Sequence, residues 1–306
     1  MKTVISASRR TDLPALFPSV LAGFLRAERA RVQGPRGGMR DVDLAPTAVH
    51  TIVLWSKDFA PLLTNAAGLR DALAKYDQAY FLFTVTGLGG TPLEPAVPAP
   101  AAALAQLPAL VALAGHPRRV SLRFDPVVFW RDGAGLLTSN LDFFAAAADA
   151  AARAGLTDVR FSAAQWYGKA VRRARARGFA YVDPPDEAKR DAAARLAETA
   201  AARGLRLHAC AQAFLSEVPG IFASSCIDGR LLGELHPRRD GAPTAKDRSQ
   251  RAACGCTVSV DIGSYAQTCA HGCVYCYANP RIEAPLSLRG APDCEAIGGD
   301  AATPSS

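Results

Sequence analysis

Three cysteines near the C-terminal end of the sequence have a spacing that suits a metal cluster. They stand in the run Cys269-Ala-His-Gly-Cys273-Val-Tyr-Cys276, which reads C-x3-C-x2-C. A structural zinc ion takes four closed ligands, and ordinary ferredoxin clusters are also bound by four cysteines. Three thiolates on one short loop would leave one iron of a [4Fe–4S] cluster open to a substrate or cofactor. The spacing therefore predicts an iron–sulfur site with an exchangeable position.

The same run resembles the cluster loop of radical S-adenosylmethionine (SAM) enzymes. Tyr275, the aromatic residue before the third cysteine, is part of that resemblance, and the wording CxHGCxYCYA is most similar to the spore-photoproduct-lyase-like branch. In those enzymes the amine and carboxylate of SAM chelate the open iron. The resemblance implies a [4Fe–4S] cluster and SAM as cofactors, with Tyr275 beside them. It also implies a reductant protein such as a flavodoxin or ferredoxin.

A zinc site is the alternative for this loop. Cys254-Gly-Cys256 lies a short way upstream, so zinc could draw ligands from both groups, with His271 as a further donor. Together with Cys210 and Cys226, these two cysteines would also suit a complete auxiliary [4Fe–4S] cluster or an all-cysteine zinc site. Otherwise Cys210 and Cys226 are buried small hydrophobic residues, as free cysteines often are.

Length and composition describe a large globular chain. Its 306 residues, 49% hydrophobic and 21% charged, are enough for one α/β barrel or two ordinary domains. We find no apolar run long enough to span a bilayer and no signal peptide. Clustered cysteines are typical of metal ligation in a reducing compartment. We therefore expect a cytoplasmic protein without a membrane partner.

The net charge of +7 permits an acidic partner such as nucleic acid. The densest basic run, Arg172-Arg173-Ala-Arg175-Ala-Arg177, falls on a predicted helix. No aromatic residues interleave with it, as a stacking surface for bases would need, so we interpret it as a solvated helix face. The substrate of an enzyme could be a small molecule or a nucleic acid. The alternative to an enzyme is a non-catalytic zinc or iron–sulfur protein with a basic nucleic-acid-binding face.

Short β-branched or aromatic runs alternate with helical stretches rich in Ala, Leu and Arg. The predicted strands are Thr3–Ser8, His50–Trp55, Tyr80–Thr86, Val120–Phe124, Val159–Ala163, Leu205–Cys210 and Val258–Ile262. The predicted helices are Leu13–Arg31, Ala60–Lys75, Ala101–Ala114, Leu141–Ala154, Tyr167–Arg177 and Asp186–Arg203. This alternation indicates an α/β fold of parallel strands with right-handed crossovers, and favours a complete or partial (β/α) barrel.

We expect residues 1–236 to form the barrel body, 237–280 a connector with the final strand and the cysteine loop, and 281–306 a mobile tail. The Pro-rich stretch Thr91–Pro100 is predicted to be a long exposed loop. A radical SAM-type loop at the C-terminal end of a barrel suggests circular permutation. In that case Val258–Ile262 would lie next to Thr3–Ser8.

Reactive groups of a parallel barrel collect at the C-terminal ends of its strands. The candidates for catalytic roles there are Arg9, Arg10, Asp12, Lys57, Arg123 and Asp125, and the same ends carry Asp58, Thr84, Thr86, Gln165, His208 and Gln212. Arg9, Arg10 and Arg123 are candidates for binding the SAM carboxylate or an anionic substrate, because a guanidinium binds carboxylate bidentately. The ordinary alternatives are that Arg123 pairs with Asp125, that Asp12 only caps a helix and that Lys57 is solvated.

Motifs along most of the chain resemble a bacterial family catalogued as domain of unknown function 1848. They are Ser6-Ala-Ser-Arg9-Arg10-Thr-Asp12, Trp55-Ser-Lys57-Asp58, Phe83-Thr-Val-Thr86-Gly87, Arg123-Phe-Asp125-Pro126, Ser225-Cys226-Ile-Asp228-Gly229 and Cys254-Gly-Cys256 with Ser259-Val-Asp261-Ile-Gly263. The resemblance runs from about Val4 to Asn279 and implies a family rather than a reaction. At Gln212 the resemblance implies an acidic residue instead.

Overall fold

A parallel sheet is the centre of the fold. The computed structural model describes residues 2–33 and 38–278. The strands of this part of the chain are β1 (Thr3–Ala7), β2 (Arg29–Gln33), β3 (Met39–Asp43), β4 (Val49–Ser56), β5 (Ala79–Thr84), β6 (Val120–Val127), β7 (Phe129–Arg131), β8 (Leu137–Ser139), β9 (Asp158–Ala163), β10 (Tyr181–Val182), β11 (Arg206–Ala209), β12 (Ile221–Ala223) and β13 (Val260–Asp261). The α-helices are α1 (Leu13–Leu16), α2 (Pro18–Arg26), α3 (Ala60–Leu63), α4 (Leu69–Leu73), α5 (Pro100–Leu104), α6 (Leu107–Ala114), α7 (Phe144–Arg153), α8 (Gly168–Ala176), α9 (Asp186–Ala201) and α10 (Gly229–Leu235).

Eight strands form this sheet in the order β12-β11-β9-β6-β5-β4-β1-β13. Every neighbouring pair is parallel, which confirms the predicted α/β class. All seven predicted strands belong to it, and β12 is the member that the sequence did not predict. Within the described residues β12 and β13 are the two ends of the sheet, so its ladder does not close into a complete barrel.

The strand before the cysteine loop lies beside the first strand of the chain. β13 pairs in parallel with β1, with Ile5 opposite Val260 and Ser6 opposite Asp261. The permutation hypothesis requires this pairing. Strands far apart in the sequence are thereby brought to one edge of the sheet, together with the residues that follow them.

The two faces of the sheet pack against different partners because side chains alternate along a strand. Leu54 and Phe81 point to one face and belong to the large core, which also contains residues of the helices α2, α6 and α7. Val53 and Leu82 point the other way and pack in a smaller core that includes Leu232 of α10. This second face is apolar beside α10, and polar side chains follow it at the C-terminal ends of the strands.

Several predicted helices are shorter than expected because the backbone interrupts them. The predicted helix Leu13–Arg31 is two helices, with Pro18 opening the second, and its last residues belong to the antiparallel hairpin of β2 and β3. The predicted helix Ala60–Lys75 is broken where Asn65 and Ala67 adopt positive φ values of 59° and 54°. Proline can begin a helix because its missing N–H is not needed in the first turn. Pattern alone therefore overestimated helix length.

Thr91–Pro100 is a loop up to the start of α5, as predicted, but the prediction that it is exposed is wrong for its buried residues. Glu94 is fully buried there, and Leu93 and Val97 are also buried. The predicted mobile tail, 281–306, lies outside the described residues, as does residue 279 onward. No helix in the described part of the chain combines the length and apolar character that a membrane crossing needs.

The close fit at the start of α10 can be tested with one substitution. A Cβ on Gly229 would lie 2.0 Å from the carbonyl oxygen of Pro243, so Gly229→Ala must displace backbone. We expect a loss of about 1–3 kcal/mol in the free energy of unfolding, measured by urea denaturation. Gly23 lies inside α2 with open space around it, so Gly23→Ala is the control. It should be neutral or stabilise by up to about 1 kcal/mol through helix propensity. Equal effects of the two substitutions would contradict this packing.

Candidate functional site

One cavity of about 280 Å³ gathers the polar residues that follow the strands. Every residue predicted to be catalytic, cofactor-binding or metal-ligating lines it, namely Arg9, Arg10, Asp12, Lys57, Arg123, Asp125, Tyr275, Cys210, Cys226, Cys254, Cys256, Cys269, Cys273 and Cys276. Residues from both ends of the chain therefore share a single chamber. Their chemical roles stay predictions, but their proximity is a property of the fold.

The three cysteines of the C-terminal loop form one thiol group in the cavity wall, called here the loop thiols (Cys269, Cys273 and Cys276). Burial raises the pKa of Cys269 to about 11 and also raises the pKa of Cys273 and Cys276. Lys57 lies close enough to Cys273 and Cys276 to oppose that rise, and Arg173 opposes it at Cys276. These cations favour the thiolate form that a metal needs.

His271 lies between the first two loop thiols but uses both of its ring nitrogens elsewhere. Nε2 lies 2.8 Å from Oδ2 of Asp12, and Nδ1 lies 3.1 Å from the carbonyl oxygen of Ala96. Both partners are oxygen atoms, so each ring nitrogen already has a hydrogen-bond partner, and a metal could bind His271 only by displacing one of them. Asp12 also caps α1 and accepts from the N–H of Lys57 at 2.8 Å. It is a helix cap, as the ordinary alternative held, and it also anchors the loop.

Two buried arginines, Arg173 of α8 and Arg177 directly after it, hold the cysteine loop on the side away from the cavity's arginines. Arg173 donates to the carbonyl oxygens of Val274 and Cys276 at 2.8 Å and to that of Ala278 at 3.2 Å. Arg177 donates to the carbonyl oxygen of Gly272 at 3.1 Å. Their exposed fractions are 6% and 3%, so our interpretation of a solvated helix face is wrong for both.

The spacing of the arginines contained a usable signal. Arg173 and Arg177 are four residues apart, on the face of α8 that also carries the buried residues Ala170 and Ala174. Arg172 lies off that face and is exposed. A periodicity test on the small residues would have separated buried arginines from solvated ones.

Glu94 is a buried acid that sequence reasoning missed. Its Oε1 accepts from Nζ of Lys57 at 2.9 Å, from Oγ1 of Thr86 at 2.6 Å and from the hydroxyl of Tyr275. Lys57 is therefore not solvated. Burial alone would lower the pKa of Lys57, but Glu94, Cys273 and Asp125 together outweigh burial, and the net shift is upward. Tyr275 and Lys57 are thus fixed beside the loop thiols by one carboxylate.

Two guanidinium groups stack on one indole at the cavity. Arg9 and Arg123 lie 5.1 Å and 5.0 Å from the Trp55 ring centroid. Arg123 also pairs with Asp125, as the ordinary alternative expected. Arg10 is already engaged, since it donates to two backbone carbonyl oxygens at 3.0 Å. Arg9 and Arg123 are therefore the arginines best placed to meet an anionic ligand.

The other four cysteines of the cavity form a second set, called here the core thiols (Cys210, Cys226, Cys254 and Cys256). Sγ of Cys210 and Sγ of Cys226 are 3.5 Å apart. Cys226, Cys254 and Cys256 are buried in one small core, and Cys210 packs against it. Position 255 requires glycine, because a Cβ there would lie 2.6 Å from Oγ of Ser225. In the described residues no three cysteine sulfur atoms all lie within 4.8 Å of one another, so a preformed zinc site shared between the two sets gains no support.

Three other predicted residues have local tasks. His208 lies outside the cavity lining and bonds to Asp158 at 2.8 Å through Nε2. Asp58 caps the first turn of α3 by accepting from the N–H of Ala60. Gln212 accepts from the N–H of Ala163 at 2.7 Å and donates to its carbonyl oxygen at 3.2 Å. An ionised acid cannot donate, so the amide at position 212 has a structural reason.

One compact set of potential ligands lies away from the cavity. Asp77, His236 and Asp240 are the one group in the described residues whose ligand atoms all lie within 4.8 Å of one another. Lys2 pairs with Asp240 at 2.9 Å and Arg238 with Asp77 at 2.8 Å. These cations already neutralise the carboxylates, so we interpret the group as an ion-pair network.

Two substitutions on α8 test whether Arg173 holds the cysteine loop in place. Arg173→Ala would leave several buried carbonyl oxygens without a donor, each worth about 1–3 kcal/mol. We expect the variant to lose stability and to be cleaved faster within residues 269–278 in limited proteolysis. Arg172→Ala, on the exposed side of the same helix, should change stability by less than about 0.5 kcal/mol. Equal cleavage rates in the two variants would show that Arg173 does not hold the loop.

Three solved structures are distantly similar to the chain. A D-hydantoinase is 15% identical with a TM-score of 0.35, over 72% of this chain and 45% of that chain. A dihydropyrimidinase from Brevibacillus agri NCHU1002 is 15% identical with a TM-score of 0.34, over the same shares. Morphinone reductase is 16% identical with a TM-score of 0.32, over 83% and 63%. The chain spans less than half the length of the first two, and scores this low support no conclusion about fold or function.

Sequence comparison is more informative about family than about activity. None of the curated proteins matches the chain. The model of one family, described as "Domain of unknown function (DUF1848)", matches residues 4–278, which is most of the sequence. The chain belongs to the DUF1848 family.

Proposed function

We propose that the protein is a radical SAM enzyme in which the loop thiols hold a [4Fe–4S] cluster and the cavity binds SAM together with a substrate. One observation carries the proposal. The loop offers three thiols, while its remaining potential ligand, His271, has both ring nitrogens within hydrogen-bond distance of oxygen atoms outside the loop. A set of three protein ligands suits a cluster with one open iron and not a closed zinc site.

The spacing of the loop thiols also favours a cluster over a single ion. Four thiolates around zinc at about 2.3 Å would place their sulfur atoms roughly 3.8 Å apart. In the part of the chain that is described, no three cysteine sulfur atoms all lie within 4.8 Å of one another. The loop thiols are thus spread more widely than a preformed zinc site requires.

The charges around the loop suit an anionic centre. Lys57 acts on Cys273 and Cys276, while Arg173 and Arg177 reach the loop from α8. A cation near a buried thiolate offsets the cost of removing that charge from water. Tyr275 is fixed by Glu94 in the same wall, so its ring keeps a defined position beside the third loop thiol.

The cavity supplies binding and orientation for the other ligands. A cluster of this kind, when bound, supplies the electron that cleaves SAM to a 5′-deoxyadenosyl radical, which takes hydrogen from the substrate. Arg9 and Arg123, stacked on Trp55, would bind the SAM carboxylate or an anionic substrate. Asp125, held by Ser162, would fix the orientation of Arg123. The electron would come from a flavodoxin or ferredoxin.

The sheet order is in keeping with a circularly permuted radical SAM-type barrel. The proposed cluster loop follows β13, which neighbours β1, so the loop stands where a first-strand loop would stand in the unpermuted order. The alternative of a non-catalytic nucleic-acid-binding protein has lost part of its support. Arg173 and Arg177, from the densest basic run, are buried against the loop and offer no charge to a polyanion.

The proposal predicts a SAM-responsive cluster. After anaerobic reconstitution with iron and sulfide and reduction by dithionite, the EPR signal should change on addition of SAM. The change should vanish in a Cys269/Cys273/Cys276→Ser triple variant, because no open iron is then held. Cys294→Ser is the matched control for thiol substitution, since Cys294 lies outside the described residues and outside all proposed roles. Reconstituted protein with no SAM-dependent change would remove the basis of the proposal.

The status of His271 separates the cluster from the zinc alternative. Because both ring nitrogens are occupied, His271→Gln should retain the SAM-responsive EPR signal, while thermal stability falls through the weakened bond to Asp12. Cys273→Ser should abolish the signal. If His271→Gln lost the metal as completely as Cys273→Ser does, with the fold preserved by circular dichroism, His271 would be a ligand and the three-thiol assignment would be wrong.

A further inference from the structure

We propose that the core thiols, Cys210, Cys226, Cys254 and Cys256, hold a second iron–sulfur cluster. They come from three separate segments, namely the end of β11, the loop after β12 and the turn before β13. All four line the cavity. The binding site stands on its own geometry, and only its position beside a SAM-binding centre rests on the proposed function.

The clustering of the core thiols is more specific than hydrophobic packing requires. A free cysteine is commonly a buried small hydrophobe, and single ones need no partner of their own kind. Here Sγ of Cys210 lies 3.5 Å from Sγ of Cys226, and Cys226 shares one small core with Cys254 and Cys256. Four thiols gathered in one core are the full ligand set of an all-cysteine iron–sulfur cluster.

Three arginines around the core thiols indicate that an anion belongs there. Arg9 lies near Cys256, and Arg123 and Arg160 lie near Cys226 and Cys210. Each of these arginines has a buried nitrogen without a hydrogen-bond partner: Nη2 of Arg9, Nε of Arg123 and Nε of Arg160. Such donors are costly to bury unless an acceptor meets them.

A cluster bound by four thiolates would balance the positive charge of the arginines and would supply acceptors for their unpartnered N–H groups. It carries net negative charge, and its sulfur atoms accept hydrogen bonds from nearby donors. Neutral thiols supply neither the charge nor strong acceptors. The orphaned guanidinium nitrogens are therefore explained by an anionic centre and are left unexplained by four packed thiols.

The arrangement suits a cluster better than zinc. Sγ of Cys210 and Sγ of Cys226 lie 3.5 Å apart, close to the roughly 3.8 Å of a tetrahedral zinc site. Within the described residues, however, no three of the core sulfur atoms all fall inside 4.8 Å, so the four do not surround one small ion. With four ligands engaged, no iron is open, and this centre would not bind SAM.

Selective substitution of the two thiol sets tests the second cluster. Anaerobically reconstituted wild-type protein should hold about eight iron and eight sulfide per chain. The Cys269/Cys273/Cys276→Ser variant should keep about four of each, with an EPR signal that SAM does not change. The Cys226/Cys256→Ser variant should also keep about four, with the SAM-responsive signal. Cys294→Ser should match the wild type.

The outcomes separate the two proposals. If the loop-thiol variant retains no iron, or retains one zinc ion in its place, the second cluster is refuted while the proposed function stands. If iron remains in that variant but wild-type protein never responds to SAM, the proposed function fails and the second cluster stands. Circular dichroism of each variant shows whether loss of iron reflects loss of the fold.

A charge variant gives a readout that does not need the thiols to be replaced. Arg160→Gln removes one positive charge beside the core thiols, so the reduction potential of the SAM-insensitive signal should become more negative in an EPR-monitored titration. Arg160→Lys keeps the charge and should lie closer to the wild type. Identical potentials in all three proteins would place the cluster away from Arg160 and overturn the assignment.

Discussion

The carboxylate of Asp261 is the interaction on which the site depends. It accepts from Oγ of Ser6, Oγ of Ser8 and the N–H of Arg9 at 2.8 Å each, and from the N–H of Gly263 at 3.0 Å. One side chain of the final strand thereby fixes the whole end of the first strand. A Cβ on Gly263 would lie 1.9 Å from Oγ of Ser8, so this close approach also demands glycine. Arg9 and the cysteine loop take their positions from that junction.

Buried charge is the second constraint on the cavity. Cations removed from water must be paired, and the protein pairs them in two neighbouring sets. Lys57 and the arginines of α8 attend the cysteine loop, while Arg9, Arg123 and Arg160 surround the core thiols. Glu94 and Asp125 supply fixed negative charge between these groups. The charges that line the cavity are therefore fixed in place by the protein's own residues.

The sequence predicted the sheet well because parallel strands buried on both faces are short continuous apolar runs. It predicted the helices less well, since prolines such as Pro18 begin new helices inside a continuous pattern. The rule that reactive groups collect at strand ends led to six candidate catalytic residues, and all six line one cavity. It could not find Glu94, whose burial depends on a Pro-rich segment folding back on the cysteine loop. Nor could charge density reveal that Arg177 points inward, because its partner is a carbonyl oxygen about 95 residues away.

The pairing of β1 with β13 also sets the order in which the molecule can be completed. Ser6 and Asp261 are 255 residues apart, so at about 5–20 residues per second the ribosome needs roughly 15–50 s between them. During that interval the β1 edge is unpaired, and an unpaired edge invites wrong association. The cysteine loop follows β13 in the chain, so it is synthesised after every strand of the main sheet. A metal can therefore bind the loop thiols only after all eight of these strands have left the ribosome.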